Sequence, residues 1–176
     1  MAQFALIDCT PEDLEALRQL SIHTFTEAFA AQNNPEDFQA YLESAFHPKQ
    51  LLSEIHHPQT RFSFICKDGM RVGYLKVNWG NAQTELQEDA GMELERIYVL
   101  ASEQGAGIGA WVLEQVGQWA LAAGKEYVWL GVWEHNPRAM AFYQRHGFVI
   151  FDKHPYYIGQ DRQMDWMMRW EINPKP

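Results

Sequence analysis

The stretch from residue 92 to residue 133 constrains the chain most. An apolar strand ends at Val99. A loop holding Gly105, Gly107 and Gly109 follows, and then a helix with Ile108, Trp111, Val112, Val116, Trp119 and Ala123 at 3.6-residue spacing. Gly124 stops that helix as a glycine just past its end. An unbroken apolar run from Tyr127 to Trp133 comes next, the pattern of a central strand covered on both faces. Such a strand requires helices above and below its sheet, so an α/β (α+β) architecture is expected.

The flanking segments fill in that plan. Residues 4–9 read as a strand. Thr10-Pro11-Glu12-Asp13 starts a helix, with a hydroxyl cap, proline at the first position and Asp13 at the capping-box position. Asn34-Pro35 and His47-Pro48 start two more helices, and Asn136-Pro137 a later one that Gly147 closes. Residues 62–66 and 72–79 form a hairpin, residues 80–91 a polar surface loop, and residues 148–151 and 164–170 the last strands. Along residues 92–99 the apolar phase changes: Met92 and Leu94 are even, Ile97 and Val99 odd. Either a β-bulge near Arg96 or a strand end buried on both faces accounts for this. Residues 1–172 are expected to form a single domain, with 173–176 a loose tail.

A net charge of −9 disfavours nucleic acid, whose binding rests on Lys and Arg. It is compatible with a cationic ligand, although ordinary acidity explains it equally well. Two cysteines, Cys9 and Cys66, are too few for a disulfide framework and read as buried small hydrophobes. The seven histidines lack metal-ligand spacing, so no metal is expected. No signal peptide or membrane span is read, and a cytoplasmic protein is expected.

The glycine loop joins a strand to a helix, where unpaired amides and the helix dipole favour phosphate. A Walker A loop is excluded, because Gly109-Ala110-Trp111 lacks the lysine and hydroxyl. A dinucleotide fingerprint fits formally as Gly105-x-Gly107-x-x-Ala110, but barely 40 residues follow Glu134, too few for the rest of that fold. An acetyl-CoA loop of the form Gln/Arg-x-x-Gly-x-Gly/Ala fits through Gln104, Gly107 and Gly109, and a plain glycine-rich turn is the remaining alternative.

Asn136 opens its helix and Tyr143 follows two turns later on the same face. Taken alone, each is an ordinary cap and an ordinary core residue. Together with the loop they resemble the GNAT superfamily: residues 94–99 and the loop resemble its pyrophosphate motif, and residues 136–148 its second motif. The N-terminal half, Phe25-Thr26-Glu27-Ala28-Phe29 and residues 34–46, looks like the bacterial PaiA-type spermidine/spermine N-acetyltransferases. The resemblance implies a central mixed, mostly antiparallel twisted sheet of six to seven strands flanked by helices on both faces. It also implies acetyl-CoA as cosubstrate. Ile97, Tyr98 and Val99 would offer backbone groups to the pantetheine. Gln104, Gly105, Ala106, Gly107, Ile108, Gly109 and Ala110 would wrap the pyrophosphate, Asn136 would contact the cofactor arm, and Tyr143 would sit by the sulfur. A bulge in the strand before the loop belongs to the same pattern.

The expected reaction is direct acetyl transfer to a primary amine such as spermidine or spermine, a small-molecule partner. An alkyl amine with a pKa of about 10.4 is neutral in only about one molecule in a thousand near pH 7.4. Glu93 or Glu95, or a water one of them holds, is therefore a candidate base, with exposed strand charge as the alternative. Some relatives carry a glutamate where Gly131 stands, and its absence here removes a direct base at that position. A backbone amide near Ile97 or Tyr98 would stabilise the oxyanion. Tyr143 would protonate or hydrogen-bond the departing sulfur. Candidates for amine selection are Phe25, Phe29, Glu27 and Trp79, with Glu36, Glu85, Glu88, Asp89 and Asp165 as further acids. The competing expectations are a protein N-terminal or lysine acetyltransferase and a non-catalytic acetyl-CoA-binding regulator. A homodimer is left open.

Overall fold

A computed structural model describes residues 1–172. One seven-stranded sheet runs in the order β1-β2-β3-β4-β5-β7-β6. Its strands are β1 (Phe4–Asp8), β2 (Thr60–Lys67), β3 (Met70–Asn78), β4 (Gly91–Val99), β5 (Tyr127–Trp133), β6 (Val149–Ile158) and β7 (Asp161–Glu171). The helices are α1 (Leu14–Phe29), α2 (Pro35–Ala45), α3 (Pro48–His56), α4 (Ile108–Ala122) and α5 (Pro137–Arg145). Every strand pair is antiparallel except β4 with β5. The expected mixed, mostly antiparallel sheet with helices on both faces is the fold observed.

The helix starts follow from their caps. Asp13 accepts from the Thr10 amide at 3.0 Å, and the Asn34 side-chain oxygen accepts from the amides of Glu36 and Asp37 at 3.0 and 3.2 Å. One face of the sheet is covered by α4 and α5, where Ile108, Val112 and Val116 pack on Leu75, Leu94, Val128 and Leu130. The opposite face carries α1, α2 and α3 through Leu17, Phe25, Phe38, Phe46 and Leu51.

The phase change in β4 is a bulge. Lys76 lies opposite Arg96 and Val77 opposite Leu94, which leaves Glu95 as the extra residue. The insertion returns Met92, Leu94, Ile97 and Val99 to the α4 side. It turns Tyr98 to the α1 side.

The strands β4 and β5 pair only where Gly91–Glu93 runs beside 127–129. Beyond that, β4 pairs with β3 alone up to Val99, and β5 with β7 alone up to Trp133. The two halves of the sheet diverge there and leave a wedge at its centre.

Three expectations need correction. The last two strands form one long hairpin rather than two short runs. Pro155 and the charged Asp152-Lys153-His154 hid its first strand, and β6 is the sheet edge, where proline's missing N–H is tolerated. The segment 80–90 is not simply a polar surface loop: Gln83 is buried, and its side-chain amide oxygen accepts from the Trp129 indole at 2.8 Å. Cys66 is buried, but Cys9 is only half-buried. The loose tail expected at 173–176 lies outside the described residues.

Candidate active site

The wedge is bounded on one side by the bulged half of β4. In an antiparallel ladder, backbone groups alternate between the two edges of a strand. The groups among Ile97, Tyr98 and Val99 that β3 does not use therefore face the wedge.

At the end of β4 the chain turns into the glycine loop. Gly105 and Gly107 have φ of +82° and +79°, and an added Cβ would meet nothing within 4 Å at either. Their requirement is conformational rather than steric. Gly107 is the N-cap of α4, so the first amides of that helix open at the loop. Gly109 differs: a Cβ there would lie 3.0 Å from the Phe142 ring, so this glycine lets α4 approach α5. Gln104 donates its side-chain amide to the Val99 carbonyl at 3.1 Å and closes the loop on the strand it leaves. Lys67 holds Glu103 at 2.7 Å, and the Glu27 carboxylate accepts from the Ala101 amide at 3.0 Å.

Helix α5 faces the wedge from the other half. The Asn136 side-chain oxygen accepts from the Ala139 amide at 3.2 Å and is committed to capping. Tyr143 packs against Phe142 and Phe148, with ring centroids 5.3 and 5.5 Å away. Among the described residues its hydroxyl has no hydrogen-bond partner, and burial pushes the phenol up to about 12. It is therefore protonated at neutral pH and free to donate.

A cavity opens on the α1 side of the sheet. Phe25, Phe29 and Trp133 form aromatic walls; Tyr98, Tyr156, Asn33 and Gln163 supply polar edges; Glu95 and Asp165 bring carboxylates, and Gly131 and Ile158 complete the lining. Phe25 and Phe29, offered by the sequence for an apolar slot, line this cavity. Glu27 and Trp79 are not in this lining: Glu27 ties α1 to the glycine loop, and Trp79 packs on the α4 side.

The two candidate bases on β4 have separate environments. Glu93 is 3% exposed and accepts from Asn78 at 3.0 Å, the Thr84 amide at 2.9 Å and the Thr84 hydroxyl at 2.5 Å. Burial, and then the charge of Glu95, raise its carboxyl above the usual range. It lies outside the cavity lining and anchors the 80–90 segment. Glu95, the bulged residue, reaches the cavity. Burial would raise its carboxyl, but Lys76 and then Arg96 outweigh burial and hold it below the usual range. Lys76 pairs with Glu95 and with Glu54, the latter at 2.7 Å, and Asn78 donates to Glu95 at 3.1 Å. Glu95 is a fixed anion.

Asp165 has the opposite setting. Burial pushes its carboxyl up to about 6, against the lowering effect of His154 and together with the raising effect of Glu134. The sequence offered Asp165 only as one of several acids, and it did not point to Asn33, Trp133, Tyr156, Ile158 or Gln163. The missing signal was strand register: Tyr156 and Ile158 on β6, and Gln163 and Asp165 on β7, alternate onto one face once both strands are recognised.

Comparison with known proteins locates this geometry. The model of the acetyltransferase (GNAT) family matches residues 14–148. An uncharacterized N-acetyltransferase in the pepI 3′ region of Lactobacillus delbrueckii subsp. lactis is 35% identical over 169 residues, spanning 96% of this chain and 98% of that protein. The crystal structure of PaiA N-acetyltransferase from Thermoplasma acidophilum in complex with coenzyme A superposes with a TM-score of 0.77 at 18% identity, covering 96% and 99% of the two chains. A spermidine N-acetyltransferase SpeG chimera from Vibrio cholerae and hSSAT superposes with a TM-score of 0.70 at 16% identity, covering 97% and 96%. Among the described residues no helix is long and apolar enough to cross a membrane, and no cluster of three or more His, Cys, Asp or Glu could hold a metal ion.

Proposed function

Because this chain belongs to the acetyltransferase (GNAT) family and is an N-acyltransferase, we propose that it transfers acetyl directly from acetyl-CoA to a primary amine of a small polycation of the spermidine or spermine class. The observation that carries the acceptor is the cavity beside the wedge, where aromatic walls enclose two carboxylates, Glu95 and Asp165. A flexible chain with ammonium groups at intervals meets both demands: its methylenes contact the rings and its cations face the acids. The spermidine named for the SpeG chimera of similar fold favours the same class.

The wedge suits the cosubstrate. The free edge of β4 at Ile97, Tyr98 and Val99 would pair with the amides of the pantetheine arm. The loop from Gln104 to Ala110 and the first amides of α4 would hold the pyrophosphate. Asn136, its oxygen spent on capping, would offer its amide N–H groups to the arm. A β4 amide near Ile97 or Tyr98 would stabilise negative charge on the carbonyl oxygen. Tyr143, protonated and unpartnered, would donate to the departing sulfur. Glu95, fixed as an anion, would draw the ammonium into the cavity.

A panel of acceptors tests the proposal. Spermidine, spermine, a lysine peptide and a peptide with a free N-terminus are each incubated with acetyl-CoA, and thiol release is followed. Preferred turnover of the polyamines is expected. Preferred turnover of either peptide would move the protein to the peptide acetyltransferases, and acetyl-CoA binding without turnover would make it a binding protein.

A further inference from the structure

The proposed reaction needs a proton acceptor, and neither glutamate of β4 suits that task. Glu93 has its lone pairs taken by Asn78 and Thr84 away from the cavity. Glu95 is held ionised by Lys76 and then Arg96, which makes it a poor proton acceptor. The cavity holds a third acid. Gly131 is the one exposed position within β5, and the space a side chain would fill there is claimed from neighbouring strands. A Cβ on Gly131 would lie 3.2 Å from Asp165 Oδ2 and 3.5 Å from His154 Nε2. A carboxylate from β7 and an imidazole from β6 thus converge over the strand at the margin of the wedge. The two residues are register partners, so the hairpin fixes them together.

The imidazole is oriented. His154 Nδ1 lies 2.9 Å from the Pro155 carbonyl oxygen and 3.3 Å from Glu85 Oε1. Both neighbours are acceptors, so the neutral ring carries its hydrogen on Nδ1 and leaves Nε2 able to accept a proton; Nε2 and the Asp165 carboxylate make no ion pair within 4 Å, so a proton passes between them by way of solvent.

On the reading that this site acetylates amines, we propose that Asp165 takes the proton from the substrate ammonium and that His154, held by Glu85, passes it to solvent. The ammonium N–H bond breaks and Asp165 becomes a neutral carboxylic acid. The freed lone pair forms the N–C bond to the acetyl carbonyl carbon. As the C–S bond breaks, Tyr143 gives its proton to sulfur. The proton shed by the new amide nitrogen restores Tyr143. Asp165 returns to the carboxylate by releasing its proton through His154. One ammonium and one thioester become one amide, one thiol and one proton.

Two carboxylates in one cavity with opposed environments are suited to different tasks. Glu95, held ionised by cations, attracts charge and is a poor proton acceptor. Asp165, at about 6, accepts a proton more readily than an ordinary carboxylate by about two powers of ten. The groups facing it are His154 and Tyr156 from β6, Glu134 at the end of β5 with its partner Lys153 at 2.7 Å, and Glu95 and Tyr98 across the cavity from β4.

The test compares Asp165→Asn and Asp165→Glu with wild type on two acceptors: spermidine, and trifluoroethylamine, which is already neutral at pH 7. Acetyl-CoA affinity is measured in parallel as the check that the wedge is intact. With spermidine, kcat of Asp165→Asn is expected to fall on the order of 100-fold or more. With trifluoroethylamine it should change less than about threefold, because no ammonium proton has to be removed. Asp165→Glu should recover part of the loss. Wild-type kcat/KM with spermidine should show an acidic limb near pH 6 that Asp165→Asn lacks, and His154→Gln should shift that limb. Equal losses on both amines, a loss confined to KM, or an unchanged kcat would overturn the base while leaving the acetyltransferase reading in place. If wild type acetylates neither amine, that reading fails and the base falls with it.

Discussion

Replacing Asp165 with asparagine should stabilise the protein, and only above about pH 5. Burial raises this carboxyl from 3.8 to about 6. Two pKa units correspond to about 3 kcal/mol, a ceiling here because the cavity opens to solvent. A folded-state pKa above the unfolded value means that the fold favours the protonated acid. That contribution is fully present below about pH 4 and is lost as pH rises through about 6. Asparagine cannot ionise and escapes the loss. Thermal melts of wild type and variant at pH 4 and pH 8 would show this directly. Near-equal midpoints are expected at pH 4, and at pH 8 the variant should melt higher by up to about 6–12 °C, at about 2–4 °C per kcal/mol for a chain of this size. An equal difference at both pH values would mean that the carboxyl titrates alike in the folded and unfolded chain, and a variant less stable at pH 8 that the carboxylate is stabilised in the fold. Either would refute the description of Asp165 as a desolvated acid. The same substitution is expected to lower kcat, so a site residue here would trade stability for reactivity.

Other consequences follow from the same geometry. Tyr143→Phe should lower kcat at least about tenfold with little change in acetyl-CoA affinity, because only the transition state uses that hydroxyl; steady-state kinetics beside a binding titration check it, and an unchanged kcat would remove Tyr143 from the chemistry. Gly107→Val forces a β-branched residue to φ +79° at the start of α4, so acetyl-CoA affinity should fall roughly tenfold, as a distortion of about 1–2 kcal/mol implies; undiminished affinity in a calorimetric titration would place the pyrophosphate elsewhere. Lys76→Met leaves Glu54 and Glu95 facing each other without the cation between them, so urea denaturation should report a loss of about 3–5 kcal/mol, and no loss would show that the pair is not effectively buried.

Much of the fold was legible because its signals are local. Thr10-Pro11, Asn34-Pro35, His47-Pro48 and Asn136-Pro137 each start a helix, and the parity change between Leu94 and Ile97 marks the bulge at Glu95. The loop glycines also divide by position. Gly105 and Gly107 need their backbone angles, whereas Gly109 serves the contact with Phe142, a distinction that depends on a helix more than 30 residues away. The illegible parts are non-local. Nothing within residues 91–133 says that β4 and β5 part company after Glu93, because divergence is a property of pairing. Pro155 concealed the strand that carries His154 and Tyr156, and with it the face that brings Asp165 over Gly131. Glu27 and Trp79 were candidates by residue type alone; the carboxylate meets a loop amide and the indole meets the other core.

The most direct measurement follows both products of one incubation. The protein is mixed with acetyl-CoA and spermidine; free thiol is counted, and the acetylated amine is identified by mass spectrometry over the same interval. One acetylated spermidine for each CoA thiol released, with neither forming when protein or amine is left out, is the predicted result. Thiol release without an acetylated amine, or acetyl-CoA binding with no release at all, would contradict direct transfer at this site.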